Sequence, residues 1–357
     1  MQILVLADAR QPHTRRWILA LQNSGAEVCA ASMQRPPTAL PCKFVPLPDA
    51  GPAILRAKRS LPLLLDLARR NRPALIAALF VPDYGWLGAA LKAELGKTGP
   101  APRLCVAALG SDLLINARRT FLHRMRARRV LRDADVVAVD ARMLGAAAES
   151  LGCETRKIHR LDWPPDLGVF GFCPDKPQHP IRILSTRQLA PLYNVGALLE
   201  AMPRLLLRWG GDIEVVIAGD GPERSRLEAK ARALGVPARF TGRLDSSALA
   251  TELGASTIYV STARSDSTSV SLLEAMAGGA FPVVTDIPGN REWVTEGHSG
   301  LLFAPGKSGE LTHQIARALD DRMLRERAVF HNRRRIEAIP AFDEGVRQLL
   351  SRFGGKR

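Results

Sequence analysis

Residues 261–279 form the segment whose residue types and spacing are best suited to chemistry. The segment reads Ser-Thr-Ala-Arg-Ser-Asp-Ser-Thr-Ser-Val-Ser-Leu-Leu-Glu-Ala-Met-Ala-Gly-Gly and follows an apolar run typical of a buried strand. Its hydroxyl-rich part leads into a helix predicted to begin near Ser269. Because a helix N-terminus offers free backbone N–H groups and a positive dipole end, this segment favours binding of an anionic group such as a pyrophosphate.

Two carboxylates lie on either side of this predicted helix start. Asp266 precedes the helix, and Glu274 lies about one and a half turns inside it. Their spacing allows both carboxylates to face the same side, where each could accept hydrogen bonds from vicinal hydroxyl groups. The alternative is an ordinary amphipathic helix with a capped start, in which a glutamate beside Leu273 and Met276 would need some other polar partner.

The elements that must position these residues are short apolar runs alternating with helical patterns along the whole chain. This is the βαβ rhythm of parallel sheets covered by helices. The predicted strands are Ile3–Leu6, Glu27–Ala31, Leu75–Phe80, Leu104–Leu109, Val136–Val139, Ile181–Ser185, Glu214–Ala218, Ala238–Thr241, Ile258–Ser261 and Phe281–Thr285. The predicted helices are His13–Ser24, Val195–Arg208, Pro222–Leu234, Ser269–Ala277, Leu311–Arg335 and Phe342–Phe353.

The rhythm is interrupted once, at the proline- and glycine-rich run Trp163–Pro180, which indicates a linker. We therefore expect an α/β protein with an N-terminal domain at residues 1–165, a linker at 166–180 and a second domain at 181–340. Residues 341–357 would form a final helix that packs back on the first domain. Two doubly wound, Rossmann-like domains would face each other across a cleft, with ligands at the carboxyl ends of the strands.

The acidic pair and its surroundings resemble the large retaining glycosyltransferase family four, whose fold is the two-domain GT-B fold. That family carries an acid-x7-acid signature, normally Glu-x7-Glu, and Asp266 and Glu274 occupy its two ends. The turn Gly219–Pro222 and the segment Phe240–Leu244 also resemble family positions. The resemblance covers nearly the whole chain and is strongest from Arg182 to Phe303.

By this resemblance, Glu274 would hold the ribose hydroxyls, Asp266 the hydroxyls of the donor sugar, and Arg187 the donor diphosphate. Family members usually carry a lysine five or six residues after that arginine, whereas this chain has Tyr193 there. A phenol can donate one hydrogen bond to phosphate but cannot neutralise its charge. The complete set of implied donor-binding residues is Arg187, Tyr193, Gly219, Arg243, Leu244, Thr268, Ser269, Val270 and Glu274.

The resemblance places the acceptor in the first domain, where it implies that Pro12, Tyr84 and Asp112 line the acceptor side. His13 stands between the first strand and the first helix. It is interpreted either as a contact to the acceptor or the donor phosphate, or as part of the helix cap near Thr14. The implied catalytic residues are Arg187, Asp266 and His13.

The implied activity is transfer of a sugar, with retention, from a nucleoside-diphosphate sugar to a glycan or a lipid-linked acceptor. Uridine diphosphate is the first expected carrier and guanosine diphosphate the second, and neither a cofactor nor a metal is expected. Three other hypotheses remain open: a nucleotide-sugar epimerase, a phosphorylase, and a degenerate transferase that serves as a binding or scaffold subunit. The last is motivated by Tyr193 and by Asp266 in place of glutamate. A periplasmic-type binding protein is disfavoured by the absence of a signal-peptide pattern.

Composition restricts the partners. Residues 1–176 carry 26 Lys+Arg and 15 Asp+Glu, whereas residues 177–357 carry 24 and 20. The basic, leucine-bearing runs 56–72 and 118–132 could dock on an anionic membrane surface, or could be solvated helix faces. Aromatic residues make up only 5% of the chain and do not interleave with these runs, which argues against nucleic acid.

The scattered cysteines indicate reduced thiols. We expect a cytoplasmic protein, and docking through the basic runs 56–72 and 118–132 would place it peripherally on the inner face of the cytoplasmic membrane.

Overall fold

A computed structural model describes residues 1–177 and 179–354, without the side chains of Ala53 and Ile54. The chain divides into two compact units. The first comprises Met1–Asp162 together with the described part of Ala341–Arg357, and the second comprises Trp163–Pro340. Within the described residues, no helix combines the length and the apolar character needed to cross a membrane.

The first unit is built on a seven-stranded parallel sheet in the order β3-β2-β1-β4-β5-β6-β7. Its strands are β1 Gln2–Leu6, β2 Glu27–Ser32, β3 Lys43–Pro46, β4 Leu75–Leu79, β5 Arg103–Ala108, β6 Val136–Val139 and β7 Ile158–Arg160. Its helices are α1 Pro12–Asn23, α2 Ala53–Asn71, α3 Trp86–Gly96, α4 Ala117–Arg119, α5 Phe121–Asp133, α6 Arg142–Ser150 and α14 Phe342–Ser351. The central strands are buried on both faces, so they read as continuous apolar runs.

The second unit has a six-stranded parallel sheet in the order β10-β9-β8-β11-β12-β13. Its strands are β8 Ile181–Ser185, β9 Ile213–Ala218, β10 Ala238–Gly242, β11 Ile258–Ser261, β12 Phe281–Thr285 and β13 Leu301–Phe303. Its helices are α7 Gly196–Trp209, α8 Arg224–Ala233, α9 Ser246–Ala255, α10 Val270–Ala277, α11 Pro288–Arg291, α12 Ser308–Asp320 and α13 Arg322–Glu337. Strand order reverses beside β1 in the first sheet and beside β8 in the second, so each unit has the doubly wound topology that the alternating pattern predicts.

The structure differs from the sequence-based expectation at the proline-rich run. Trp163–Pro180 is predicted to be a linker between the domains, whereas its described residues belong to the second unit and pack on it. Phe170 is buried in that unit's core, and the Phe172 ring meets Phe330 edge to face at 5.3 Å. The Lys176 ammonium donates to the carbonyls of Leu253, Gly254 and Gly278, at the C-terminal ends of α9 and α10. The positive charge there complements two helix dipoles, although burial lowers the pKa of Lys176 to about 8.

The last helix of the chain belongs to the first unit. In α14, the Phe342 ring meets Trp17 of α1 edge to face at 5.9 Å, and the Arg16 guanidinium lies 4.7 Å from its centroid. The helix comes so close to Leu161 that a Cβ on Gly345 would lie 2.7 Å from a Leu161 methyl group. The predicted helical stretch 311–335 is also split in two, because the Asp321 side chain caps the start of α13.

Candidate functional site

The donor-side residues implied by the sequence come from loops at the carboxyl edge of the second sheet. Arg187 follows β8, Gly219 follows β9, Arg243 follows β10, and Asp266 lies in the loop after β11. Because all of these strands are parallel, their carboxyl ends share one edge of the sheet. Helix α10 begins at Val270, one residue later than predicted, since Ser269 is its N-cap and its hydroxyl accepts from the Leu272 N–H at 3.4 Å.

Arg187 is held in place by the residues in front of α10. Its guanidinium donates to Asp266 Oδ2 at 2.6 Å, to Ser269 Oγ at 2.6 Å and to Ser271 Oγ at 2.7 Å. Its flat face stacks on the Tyr193 ring, with the guanidinium carbon 4.4 Å from the ring centroid. Three residues that the sequence analysis assigned to the site, Asp266, Ser269 and Tyr193, therefore contact Arg187 directly.

The charge on Arg187 is stable although its side chain is only 10% exposed. Burial acts to lower the pKa of Arg187, but the Asp266 carboxylate and the hydroxyls of Tyr259 and Tyr193 outweigh that effect and raise it above the usual value. The site thus holds a fixed, desolvated cation next to the N-terminus of α10. Such an arrangement is suited to developing negative charge on a departing phosphate.

Asp266, which the family resemblance places against the donor hydroxyls, has two hydrogen-bond partners within the protein. Its Oδ2 accepts from Arg187, and its Oδ1 accepts from the backbone N–H of Ser267 at 3.1 Å. Both oxygens therefore help to position Arg187 and the loop that precedes α10. Glu274 lies one turn inside α10 and is half-buried.

Gly219 acts through its backbone. Its φ is 153°, and a Cβ placed there would lie 2.4 Å from the carbonyl oxygen of Arg187. The Gly219 N–H donates to the Gly242 carbonyl at 2.8 Å, which ties the loops after β9 and β10 together. Only glycine allows this close approach, so Gly219 positions the backbone that carries Arg187.

The remaining donor-side positions vary in exposure. Thr268 is buried and Val270 is half-buried at the start of α10. Arg243 is exposed just after β10, and Leu244 packs partly against the core beneath α10.

Two residues of this network were missed by the sequence analysis. Ser271 bonds Arg187 and lies 3.0 Å from the Tyr259 hydroxyl, while Tyr259 is fully buried in β11. The signal available for Ser271 was the alternation of serines at 265, 267, 269 and 271 around the helix start. Gly289 was also overlooked as a site residue. A Cβ there would lie 2.0 Å from the carbonyl oxygen of Ser267, so only glycine lets the loop that carries Asp266 pack this closely against residue 289.

The residues predicted to lie on the acceptor side are in the first unit, which has a cavity of about 300 Å³ at the carboxyl edge of its sheet. The cavity is lined by Asp8, Gln11, Met33, Gln34, Arg56, Ala57, Phe80, Pro82, Asp83, Tyr84, Trp86, Leu87, Asn116 and Arg126. Tyr84, predicted on the acceptor side, is among them. Its buried hydroxyl accepts from the Met33 N–H at 3.0 Å and donates to Gln34 Oε1 at 2.8 Å.

Asp112 takes a positioning role. The side chain is completely buried, and its carboxylate accepts from the backbone N–H groups of Val81, Leu109 and Leu113 at 3.0–3.1 Å. Burial raises the pKa of Asp112 to about 6 in spite of these three donors. Asp112 therefore holds the loops after β4 and β5 together and does not reach the cavity surface.

Pro12 and His13 open helix α1, next to the cavity residue Gln11. Pro12 occupies the first turn, where its missing N–H costs nothing. The start of this helix is tied down by Thr14, whose hydroxyl donates to the Asp8 carbonyl at 2.7 Å. Burial and then the nearby Arg16 lower the pKa of His13, so its imidazole is neutral at pH 7.

Two family models match the chain. "Glycosyl transferase 4-like" matches residues 2–141, and "Glycosyl transferases group 1" matches residues 173–335. The chain belongs to the group 1, family 4-like glycosyltransferases.

Curated relatives match part of the chain. It is 30% identical over 147 residues to an alpha-D-kanosaminyltransferase of Streptomyces kanamyceticus, covering 41% of this chain and 38% of that protein. It is 29% identical over 157 residues to a phosphatidyl-myo-inositol mannosyltransferase of Mycobacterium leprae, covering 44% and 41%. The matches thus span about two fifths of the length of these relatives.

Solved structures match the whole chain at low sequence identity. Sucrose-phosphate synthase from Thermosynechococcus elongatus has a TM-score of 0.81 at 17% identity and covers 98% of both chains. Anabaena HepE, solved in complex with UDP, has a TM-score of 0.81 at 15% identity and covers 100% of both. At these identities the likeness establishes the fold, which is GT-B with two Rossmann-like α/β units.

Proposed function

We propose that this protein is a retaining glycosyltransferase that moves a sugar from a nucleoside-diphosphate sugar, with UDP-sugar as the preferred donor, to a glycan or lipid-linked acceptor. The observation that carries the proposal is the buried Arg187 guanidinium, fixed by Asp266, Ser269 and Ser271 at the start of α10. A fixed cation beside free helix N–H groups is what a leaving diphosphate requires. Family membership, the named activities of the two curated relatives and the UDP complex of HepE support the same conclusion.

The reaction exchanges one bond for another at the anomeric carbon. The bond from that carbon to the diphosphate oxygen breaks, a bond to the acceptor oxygen forms on the same face, and the acceptor's hydroxyl proton passes to the departing diphosphate. Arg187 and the N-terminus of α10 stabilise the charge that develops on the diphosphate, and no metal is required for that role. Glu274 holds the ribose hydroxyls. Retention and this role of Glu274 follow from the family resemblance.

A binding or scaffold subunit is the second candidate, and Tyr193 is the observation that favours it. The family's usual lysine would add a second positive charge beside Arg187, whereas the Tyr193 ring supports the guanidinium by stacking and adds no charge. A protein without that charge could bind the nucleotide and fail to turn over.

Incubation with a panel of nucleotide sugars separates the two candidates. The transferase should bind one nucleotide sugar and hydrolyse it slowly without an acceptor, releasing a sugar whose first-formed anomer, read by proton NMR, matches the donor. Binding without any hydrolysis or transfer across acceptors would indicate the scaffold subunit. Failure to bind any nucleotide or nucleotide sugar would contradict both.

The location of the acceptor is part of the same proposal. Exposed apolar and basic side chains occur together on α5 in the first unit, and such a surface is suited to an anionic bilayer. We therefore assign the protein to the cytoplasm, at the inner face of the membrane, acting on acceptors presented there.

A further inference from the structure

Two arginines line the cavity of the first unit without a carboxylate partner. Arg56 comes from the start of α2 and Arg126 from the middle of α5. Neither forms an ion pair with any residue that the structure describes, although the neighbouring Arg129 pairs with Asp133 at 3.5 Å. The Nε of Arg56 is buried and has no hydrogen-bond partner among the described residues.

The carboxylates around the cavity leave it with an excess of positive charge. Asp8 is already neutralised, since Arg10 donates to its two oxygens at 3.1 and 2.8 Å. Asp83 is exposed at the rim and is a single negative charge against two guanidinium groups. Two charged groups from separate helices, aimed at one cavity and only partly solvated, would attract an anion there.

The indole of Trp86 supports one of these arginines. The Arg126 guanidinium carbon lies 5.6 Å from the Trp86 ring centroid, and that of Arg129 lies 5.4 Å from it. Stacking on an aromatic ring fixes the plane of a guanidinium group while leaving its N–H donors available for a ligand.

The rest of the lining is suited to hydroxyl groups. Gln11, Gln34 and Asn116 contribute amide groups, and Gln34 uses its carbonyl for the Tyr84 hydroxyl, so its NH₂ remains as a donor. A ligand that fits this cavity therefore combines an anionic group with hydroxyls.

We propose that this cavity binds the phosphate group of a phosphorylated sugar or polyol acceptor, with Arg56 and Arg126 as the phosphate ligands. Phosphate is preferred over carboxylate because it offers oxygens enough for two guanidinium groups and carries more charge at pH 7. The inference rests on the proposed function, in which the first unit receives the acceptor, and it adds the chemical class of that acceptor. The phosphate could belong to a soluble molecule or to a lipid headgroup.

The test is a calorimetric titration of sn-glycerol 3-phosphate into protein saturated with UDP, which keeps the probe out of the donor site. Uncharged glycerol is the matched ligand control. R56Q and R126Q should each weaken the affinity for glycerol 3-phosphate about tenfold, as expected for loss of one charge-assisted hydrogen-bonding group. R59Q and R128Q remove the same charge from exposed positions of the same helices and should stay within about twofold of wild type.

Equal effects of all four substitutions would overturn the proposal, because they would reduce binding to non-specific attraction. Glycerol that binds as tightly as its phosphate, or wild-type protein that does not bind the phosphate at all, would also overturn it. The titration needs no turnover, so it is read independently of the donor-hydrolysis assay that tests the proposed function. Thermal unfolding of each variant confirms that it is folded.

A sedimentation assay with phosphatidylglycerol vesicles assigns the source of the phosphate once the titration has supported the proposal. A lipid-headgroup phosphate predicts that R56Q and R126Q lower vesicle binding more than R59Q and R128Q do. A soluble phosphorylated acceptor predicts equal losses for the four variants. Phosphatidylcholine vesicles provide the uncharged reference surface.

Discussion

At the scale of single residues, the donor side depends on how one buried cation is held. Arg187 donates hydrogen bonds to Asp266 and Ser269, which lie 79 and 82 residues further along the chain, and it stacks on the nearby Tyr193 ring. Because Asp266 already occupies one edge of the guanidinium, a bound diphosphate must use the remaining N–H groups or displace that carboxylate. The short side chain of Asp266 suits this positioning role, since it keeps Arg187 close to the loop in front of α10.

Replacing Arg187 by alanine should lower turnover much more than nucleoside binding. The charge matters most as the diphosphate departs, so turnover should fall about a hundredfold or more, while affinity for free uridine changes by less than about threefold. Steady-state kinetics and calorimetry provide the two numbers, with R208A as an exposed control. Equal losses in both measurements would show that Arg187 only anchors the ground state.

Replacing Glu274 by glutamine should weaken nucleotide binding while the fold survives. A carboxylate that accepts ribose hydroxyl bonds is worth about 1–3 kcal/mol, which calorimetric titration of UDP would detect. The control is E200Q, which changes an exposed glutamate on α7; this variant should bind UDP as the wild-type protein does. Unchanged affinity in a folded E274Q protein would remove Glu274 from the nucleotide site.

At the scale of elements, the sequence predicts the scaffold well and the side-chain network less well. Buried parallel strands such as β4 and β12 are recognised because burial on both faces makes them continuous apolar runs. Short strands at the sheet edges, such as β3 and β7, carry no such pattern and were not predicted. The roles of Ser271 and Tyr259 could not be predicted, since Arg187 reaches Ser271 from 84 residues away along the chain.

Asp112 was expected to line the acceptor side, but in the structure its carboxylate holds the loops after β4 and β5. A polar residue after a buried strand predicts a place at the carboxyl edge, and Asp112 does lie there. Whether the side chain faces a ligand or the backbone depends on how the neighbouring loop folds. Here three N–H groups converge on the carboxylate, because the π-helical turns Phe80–Gly85 and Asp112–Asn116 pack together.

Replacing Asp112 by alanine should destabilise the first unit. Three buried N–H groups would lose their acceptor, and the free energy of unfolding should fall by at least about 2 kcal/mol. Chemical denaturation followed by tryptophan fluorescence measures the change. The control is D83A, which removes an exposed aspartate from the turn Phe80–Gly85. If D112A unfolds like D83A, water replaces the carboxylate without cost and Asp112 is not a structural centre of these loops.

At the scale of the whole molecule, the charge is divided between the units more sharply than between the halves of the sequence. The first unit carries 29 Lys+Arg and 15 Asp+Glu, whereas the second carries 21 and 20. Nearly all of the net charge of +15 therefore belongs to the unit with the acceptor-side cavity. The proposed donor site lies in the almost neutral unit, so binding of a nucleotide there would not explain the excess.

The basic excess coincides with exposed apolar side chains. On α5, Phe121 is 79% exposed, Leu122 50% and Met125 51%. Exposed arginines surround them, at positions 118, 119, 124 and 128. Large apolar groups in water beside several positive charges are the features of a surface that binds an anionic bilayer, with each Lys or Arg near the leaflet contributing about 1 kcal/mol.

We therefore expect the protein to co-sediment with phosphatidylglycerol vesicles at low salt and to be released as the salt concentration rises, because screening shortens the reach of the charges. Replacing Phe121 and Leu122 by serine should lower binding at every salt concentration, since it removes apolar contact area and leaves the charge unchanged. The control is L207S, which changes a leucine that is 89% exposed in the nearly neutral second unit and should bind as wild type does. If wild-type protein stays in the supernatant at low salt, the arginines of α5 are ordinary solvated charge, and a soluble acceptor becomes the better assignment.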